Sequence, residues 1–393
     1  LQDSQFAAAG HFIKPSTKFN KTSATLAAGL GGATISGGDG GDAGEDAIVP
    51  NAYYSQQLND KLVFGFGVNV PFGLATDYED RWVGRYHADR SEIQTVNFNL
   101  GLGYRINNQF SIGGGINYQK VDATLSQAVD FASVCNALGA SAQCGGVAGF
   151  NQANPNDGKA EIIANDDAWG FNIGFLWQVS DATRFGTAYR SKMKYELGGS
   201  ADFTVPSNVT AGVIAGGGFS NTNVSADVTL PATWSISGFH QLTPQWAIMA
   251  DVTRTFWSKL PELNIDFANA QPNSIITLGL KDVNRYSVGF NFTPGGDWSY
   301  RAGVAFDETP TPSAEERTPR LPDQDRLWLA LGAKYNVNQK LNVDFGFVHI
   351  MVDDADINKV AGASGTENFF RGNLVGTYDA DVNILSVQGT WSF

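Results

Sequence analysis

The chain has 393 residues, of which 42% are hydrophobic, 12% aromatic and 17% charged. No stretch approaches the roughly 18 consecutive apolar residues that a spanning helix needs, so a helical membrane protein is excluded. A β-barrel is not, because each spanning strand needs only every second residue apolar. The net charge of −13 disfavours nucleic acid as a partner.

In chain order, residues 6–13 read as a first strand and 14–46, rich in Gly, Ser, Thr and Asp, as an exposed loop. A second strand covers 47–58, with a tight turn at 58–61. In 62–70 the residues Leu62, Phe64, Phe66, Val68 and Val70 alternate with Val63, Gly65, Gly67 and Asn69. The strand then meets Pro71-Phe72-Gly73. Proline cannot donate to a strand ladder, so pairing is expected to fail or bulge there, or the strand simply ends.

Residues 77–90 form a charged, aromatic loop. Val96, Phe98, Leu100, Leu102 and Tyr104 face one way, then Phe110, Ile112, Ile116 and Tyr118 after a turn at 105–108. A long loop at 130–165 holds both cysteines, Cys135 and Cys144. Hairpins follow at 169–203 and 226–263, separated by a loop at 205–219. Strands at 274–293, 298–307, 327–335 and 341–347 lead through a last loop at 353–377 to a C-terminal strand. In that strand Leu385, Val387, Trp391 and Phe393 share one face, and Ser386, Gln388, Thr390 and Ser392 the other.

The expectation is an all-β, transmembrane antiparallel barrel of about fourteen strands spanning residues 1–393. Short turns lie at the periplasmic end and long loops at the outer end. The first residue is Leu1, so a secretory signal reads as already removed. Arg105, Arg301, Asp307, Lys334 and Asp344 fall on the inward side by alternation and are expected to pair across the lumen. Cys135 and Cys144 read as a local disulfide, since no nearby His completes a metal site. No cofactor motif is present. The four histidines, His11, His87, His240 and His349, have no spacing that fixes a catalytic set. The densest patch is the 77–91 loop, with Tyr78, Trp82, Arg85 and Tyr86.

The stretch from Phe72 through Asp80-Arg-Trp82 to His87 resembles the FadL-type outer-membrane long-chain fatty-acid transporters. Ala188-Tyr-Arg-Ser191, Leu230-Pro-Ala-Thr-Trp234, Pro244-Gln-Trp-Ala247, Gly303-Val-Ala-Phe-Asp307 and Pro322-Asp-Gln-Asp-Arg326 resemble them too, in family order along the chain. The resemblance implies passive uptake of fatty acids or related hydrophobic compounds through a monomeric barrel set in lipid and lipopolysaccharide. It implies an N-terminal hatch bearing an Asn-Pro-Ala motif, and Leu1 falls just past that motif, so the hatch is not expected within this sequence. It further implies a capture groove between the two long loops, with Val134, Leu138, Val147, Phe150, Val213 and Phe219 as lining residues. Lateral release is implied at the kink Pro71, Phe72 and Gly73, and a carboxylate partner at Lys281. The matching segment 121–127 has no arginine, which leaves other hydrophobic substrates open. Two further readings are a water-filled diffusion porin and a lipid-acting barrel enzyme. A clear axial channel would favour the first, and a Ser or His within reach of a base the second.

Overall fold

A computed structural model of the chain describes residues 4–140, 157–207 and 209–393. The strands in order are β1 (Gln5–Thr25), β2 (Ala47–Gln57), β3 (Leu62–Asn69), β4 (Gly73–Asp77), β5 (Arg90–Arg105), β6 (Phe110–Asp130), β7 (Asp157–Ser180), β8 (Thr183–Arg190), β9 (Met193–Thr204) and β10 (Thr222–Leu230). They continue with β11 (Thr233–Gln241), β12 (Trp246–Thr255), β13 (Glu262–Phe267), β14 (Ser274–Thr277), β15 (Val283–Phe292), β16 (Trp298–Asp307), β17 (Arg326–Asn336), β18 (Leu341–Val352), β19 (Ala355–Lys359) and β20 (Asn373–Ser392). Six wall strands are built from two segments each: β3 with β4, β8 with β9, β10 with β11, β12 with β13, β14 with β15, and β18 with β19. The result is a closed antiparallel barrel of fourteen strands. The seam runs in register from Gln5 opposite Ser392 to Thr25 opposite Asn373, with one irregularity between Lys21 and Ser23. Two short helices, α1 (Phe131–Ala137) and α2 (Ala211–Gly217), stand on the outer loops.

The apolar residues assigned outward by alternation face lipid. Leu385 and Val387 are 56% and 52% exposed, and Leu100 and Leu102 are both 54% exposed. Aromatic rings cluster at the periplasmic rim, where Trp246 stacks on Phe292 at 4.4 Å and Trp298 packs on Tyr335 at 4.8 Å. A second girdle lies higher, with Tyr118 packed on Trp169 at 5.0 Å. Rings at both interfaces fit a wall crossing a bilayer, where an amphipathic ring is stable at headgroup depth.

Several strands run further outward than alternation indicates. β1 continues past Ile13 to Thr25, β6 reaches Asp130, β7 already starts at Asp157, and β20 starts at Asn373. The cause is a reversal of pattern on β6. Up to Tyr118 the outward residues are apolar and the inward ones small or polar, as in Gly113, Gly115 and Asn117. Beyond it Lys120 and Asp122 face out, exposed, while Val121 and Leu125 face in, buried. β9 does the same, with Lys194 and Glu196 outside and Met193, Tyr195 and Leu197 inside. The hydrogen-bond ladder continues through the reversal, since β6 and β7 stay in register from Phe110–Trp177 to Asp130–Asp157. Above the bilayer water can solvate the outer face, so its apolar signal ends while the strand does not.

Among the inward charges, Arg301 Nη1 donates to Asp344 at 2.7 Å and Arg326 meets Asp307 at 3.2 Å.

Leu331 is 64% exposed in the middle of the lipid-facing band of β17. Leu331→Arg is expected to destabilise the folded barrel by about 2–4 kcal/mol, the range for a cation at bilayer mid-depth. Leu331→Ala is expected to cost less. Denaturant unfolding in lipid vesicles measures both, and equal small effects would place Leu331 outside the hydrocarbon.

Candidate functional site

The outer mouth is covered by the chain's own loops. Phe19 and Ala24 at the top of β1, Leu26, Ala27, Leu30, Tyr78, Trp82, Val83, Tyr86, Phe369, Leu374 and Tyr378 share one buried apolar cluster. Tyr78 stacks on Trp82 with centroids 4.0 Å apart and planes at 7°, and Phe19 packs edge-on against Trp82 at 5.7 Å. Trp82 Nε1 donates to the Ala88 carbonyl at 2.8 Å. Gly84 is required here, because a Cβ would lie 2.2 Å from the Trp82 ring. The Arg85 guanidinium donates to Asp157 at 2.7 Å, to the carbonyls of Ser36 and Trp82, and to the Tyr86 hydroxyl. Thus Tyr78, Trp82, Arg85 and Tyr86 knit the rim, and the charged, aromatic loop is the centre of a buried cap.

The cap also buries ionisable groups. His87 Nε2 donates to the Gly372 carbonyl at 3.2 Å. Burial, with Arg371, Lys359 and Arg320 nearby, holds His87 well below the ordinary imidazole range. Burial lifts the Asp89 carboxyl to about 6. Burial beside Arg371 brings the Arg320 guanidinium down to about 9, and its hydrogens go to the Arg90 carbonyl, Ser91 and Gln127.

Beside the cap, α1 meets the 205–219 segment. Phe131, Cys135, Val209 and Val213 form a buried cluster, with Phe219 packed against it. Of the expected groove residues, Val213 and Phe219 are in this cluster, Val134 is buried on α1, and Leu138 at its C-terminal cap is exposed. Val147, Phe150 and Cys144 lie outside the described residues. Cys135 is fully buried and disulfide-bonded.

From this cluster an aromatic chain leads inward. Phe131 meets Phe219 edge-on at 4.9 Å, Phe219 meets Phe203 at 5.8 Å, and Phe203 meets Phe267 at 6.3 Å. Phe203 and Phe267 pack on a second buried cluster inside the barrel: Val121, Leu125, Met193, Tyr195, Leu197, Val224, Leu230 and Ile265 among others. These are the inward residues of the reversed pattern. Phe72 packs on the same cluster and meets Trp257 edge-on at 5.8 Å.

At Phe72 the wall is interrupted. β3 pairs with β2 no further than Val68 opposite Ala52. Above it, Gly44 bridges Thr76, and the Asp77 N–H donates to the Ala43 carbonyl at 3.1 Å. Between these ties, residues 47–51 of β2 pair only with β1, and 73–75 only with β5, among the described residues. The opening is therefore a bounded window. Pro50 flanks it on one side and Pro71 on the other, so neither contributes an N–H to be satisfied.

On the β5 side the strand is bulged. Asn69 stands opposite Asn97 and Gly73 opposite Gln94, so residues 70–72 face only 95 and 96. The side chain of Thr95, fully buried, replaces the missing ladder bonds. Its Oγ1 accepts from the Phe72 N–H at 3.0 Å and donates to the Phe72 carbonyl at 2.7 Å, while the Thr95 N–H donates to the same carbonyl at 3.2 Å.

Below the apolar cluster is a belt of inward amides. Asn97 donates to Asn69 and Asn117, Asn99 to Asn117 and Asn172, and Asn117 to Asn172, at 2.7–3.2 Å. Arg190 Nη2 donates to Asn97 at 3.0 Å and to Gln119 at 2.7 Å. Lys281 is exposed on the loop between β14 and β15, held by its backbone N–H to the Pro310 carbonyl at 2.9 Å, and is not part of the apolar cluster. Neither Thr95 nor Phe203 carries a local sequence signal for a site, and Arg190 stands out only within the Ala188–Ser191 motif.

His11 Nδ1 lies 2.7 Å from Ser386 Oγ, and its Nε2 lies 2.8 Å from the Asn51 amide. Ser386 and His11 sit on strands paired along both edges, so their backbone N–H groups are committed to the ladder. A hydrolytic site needs free donors for an oxyanion. The string reads as a polar tie across the seam.

Over residues 1–393 the chain matches the family described as outer membrane protein transport protein (OMPP1/FadL/TodX). It is 30% identical over 333 residues to the long-chain fatty acid transport protein of Escherichia coli K12, covering 80% of this chain and 72% of that one. It is also 30% identical over 361 residues to outer membrane protein P1 of Haemophilus influenzae, covering 88% and 75%. The crystal structure of a Pseudomonas aeruginosa FadL homologue is similar with a TM-score of 0.88 at 25% identity, covering 100% of this chain and 91% of that one.

Thr95→Val leaves the Phe72 N–H and carbonyl without their side-chain partner, at a cost of about 1–3 kcal/mol. The Phe72 amide is expected to exchange hydrogen about tenfold faster or more, with Thr95→Ser close to wild type. Unchanged exchange in Thr95→Val would remove Thr95 as the clamp. A second expectation concerns acid. The folded pKa of His87 lies below the unfolded value of about 6.5, so its contribution to cap stability is full above that pH and is lost as pH falls below it. Comparing wild type with His87→Gln cancels Asp89, which is common to both. Amide exchange in residues 78–90 should accelerate in wild type relative to the variant between pH 7.5 and 5, and a flat ratio would contradict a buried neutral His87.

Proposed function

The chain belongs to the OMPP1/FadL/TodX family of outer-membrane transport proteins and is an integral outer-membrane β-barrel, and from that premise we propose that it takes up long-chain fatty acids or related hydrophobic compounds passively. The ligand is captured between α1 and the 205–219 segment, crosses the apolar interior and leaves sideways through the window beside Pro71. The observation that carries this reading is the unbroken run of apolar contacts, from Phe131 and Phe219 through Phe203 and Phe267 to the cluster that ends on Phe72 at the window.

The energetics favour a sideways exit. An acyl chain gains about 0.8 kcal/mol per methylene on leaving water. A path from an apolar groove through an apolar core into the bilayer never returns that gain. Backbone left unpaired at membrane depth is tolerable only where protein or water lines it; at the window Pro50 and Pro71 have no N–H to leave unpaired, and Thr95 takes both groups of Phe72. The capped outer mouth opposes a water-filled diffusion channel. The transported class, fatty acid in the named relative, and the absence of any assembled oxyanion site among the described residues support transport over lipid chemistry.

Gly73 offers the direct test. A Cβ there meets only the Ile93 carbonyl oxygen, at 3.9 Å, so a side chain can start from this backbone without a clash at its first carbon. Gly73→Trp should cut oleate uptake by cells several-fold, with the barrel still assembled as judged by its heat-modifiable migration. Uptake equal to wild type would rule out exit at this window.

A further inference from the structure

We propose that Trp257 is a specificity-determining post on the passage from the apolar core to the window, letting a slim acyl chain past Phe72 and holding back wider molecules. The inference deepens the uptake reading and rests on it. Phe72 and Trp257 come from strands that are not neighbours in the wall. Phe72 lies between β3 and β4, which pair with β2 and β5, while Trp257 lies between β12 and β13, which pair with β10, β11, β14 and β15. Their edge-on contact at 5.8 Å therefore spans the interior. Rings at that separation touch, so one of them has to move before a ligand passes between them. Further along the same strand Ile265 belongs to the apolar cluster and Leu263 and Phe267 pack on it, so Trp257 stands where that cluster meets the inner face of the window.

The two rings are held differently. Thr95 clamps both backbone groups of Phe72. Trp257 opens a single 3-10 turn, Trp257–Lys259, and residues 257–261 lie outside every ladder. Pairing with β11 and β15 stops at Thr255, opposite Thr233 and Val283. It resumes only at Glu262 opposite Thr277 and at Asp266 opposite Ser225. The Phe256 N–H still reaches the Ala232 carbonyl, so the chain from 256 to 266 faces the shorter run from 225 to 232, and the excess length carries Trp257 inward. The turn is tied by the Leu260 N–H to the Trp257 carbonyl at 3.0 Å and by the Ser258 N–H to Asp282 Oδ1 at 3.0 Å. Backbone with so few bonds opens locally at far less cost than a paired strand. Phe72 is thus the fixed post and Trp257 the movable one. An unbranched acyl chain needs only a small displacement of the indole, whereas a fused ring system needs the whole turn to shift.

The test gives cells expressing the whole chain oleate and a fatty acid of similar length ending in pyrene, and reads the ratio of the two uptake rates. Trp257→Ala should raise the pyrene-to-oleate ratio by about threefold or more, with Trp257→Phe in between and oleate uptake within about twofold of wild type. In the purified wild type the amides of residues 257–260 should exchange hydrogen about tenfold faster than those of β12, with the Phe72 amide protected. Heat-modifiable migration reports barrel assembly for each variant. A wild-type ratio in Trp257→Ala, equal losses of both acids, or a Phe72 amide that exchanges faster than 257–260 would each overturn the assignment. Gly73→Trp separates this proposal from the reading beneath it. If that variant takes up oleate at the wild-type rate, the uptake reading itself fails. If it blocks both acids while Trp257→Ala keeps the wild-type ratio, only the role of Trp257 fails.

Discussion

A lipid bilayer supplies no partner to a backbone N–H or carbonyl, and the rest of this structure follows from meeting that constraint. The ladder closes through twenty segments and a long in-register seam between β1 and β20. At the interruption beside Pro71 part of the unpaired backbone is removed or given a side-chain partner. Pro50 and Pro71 contribute no N–H, and the Thr95 hydroxyl takes both groups of Phe72. The window is therefore a built feature of the wall, bounded above and below by backbone ties, and not a frayed strand.

A barrel of this circumference encloses more space than wall side chains fill. Here the outer loops fold back over the opening and supply their own core around Trp82, leaving a second apolar core beneath and a belt of amides below that. The three layers differ in what lines them. The cap buries aromatic rings at the outer end, the middle layer is apolar, and the belt is polar. Beside that cap, α1 and the 205–219 segment meet in a separate buried cluster.

Burial of ionisable groups in the cap has a cost that the apolar stack offsets. His87, Arg320 and Arg371 lie close together with Glu367 and Asp89 as counter-charges. Breaking one partner of such a set leaves a charge buried and unpaired, which is the expensive outcome. Tyr78 stacks on Trp82 and Phe19 packs edge-on against it in the same cap.

The period of two in Leu62 to Val70, in Val96 to Tyr104 and in the last strand determined, without any coordinates, that this is a lipid-facing barrel of about fourteen strands, and Pro71 marked where its wall fails. A side chain that meets hydrocarbon has one acceptable polarity, so local sequence carries that information in full. Above Tyr118 both water and a packed interior are available, polarity no longer reports direction, and strands such as β1 and β7 vanish from the pattern while their ladders continue. The tie between Thr95 and Phe72, the contact of Phe203 with Phe219, and the bond of Arg190 to Gln119 join residues from different strands and loops. They depend on the register and closure of the whole wall, a property of the assembled cylinder that no single segment contains, and so only the tertiary structure decided which of these residues meet.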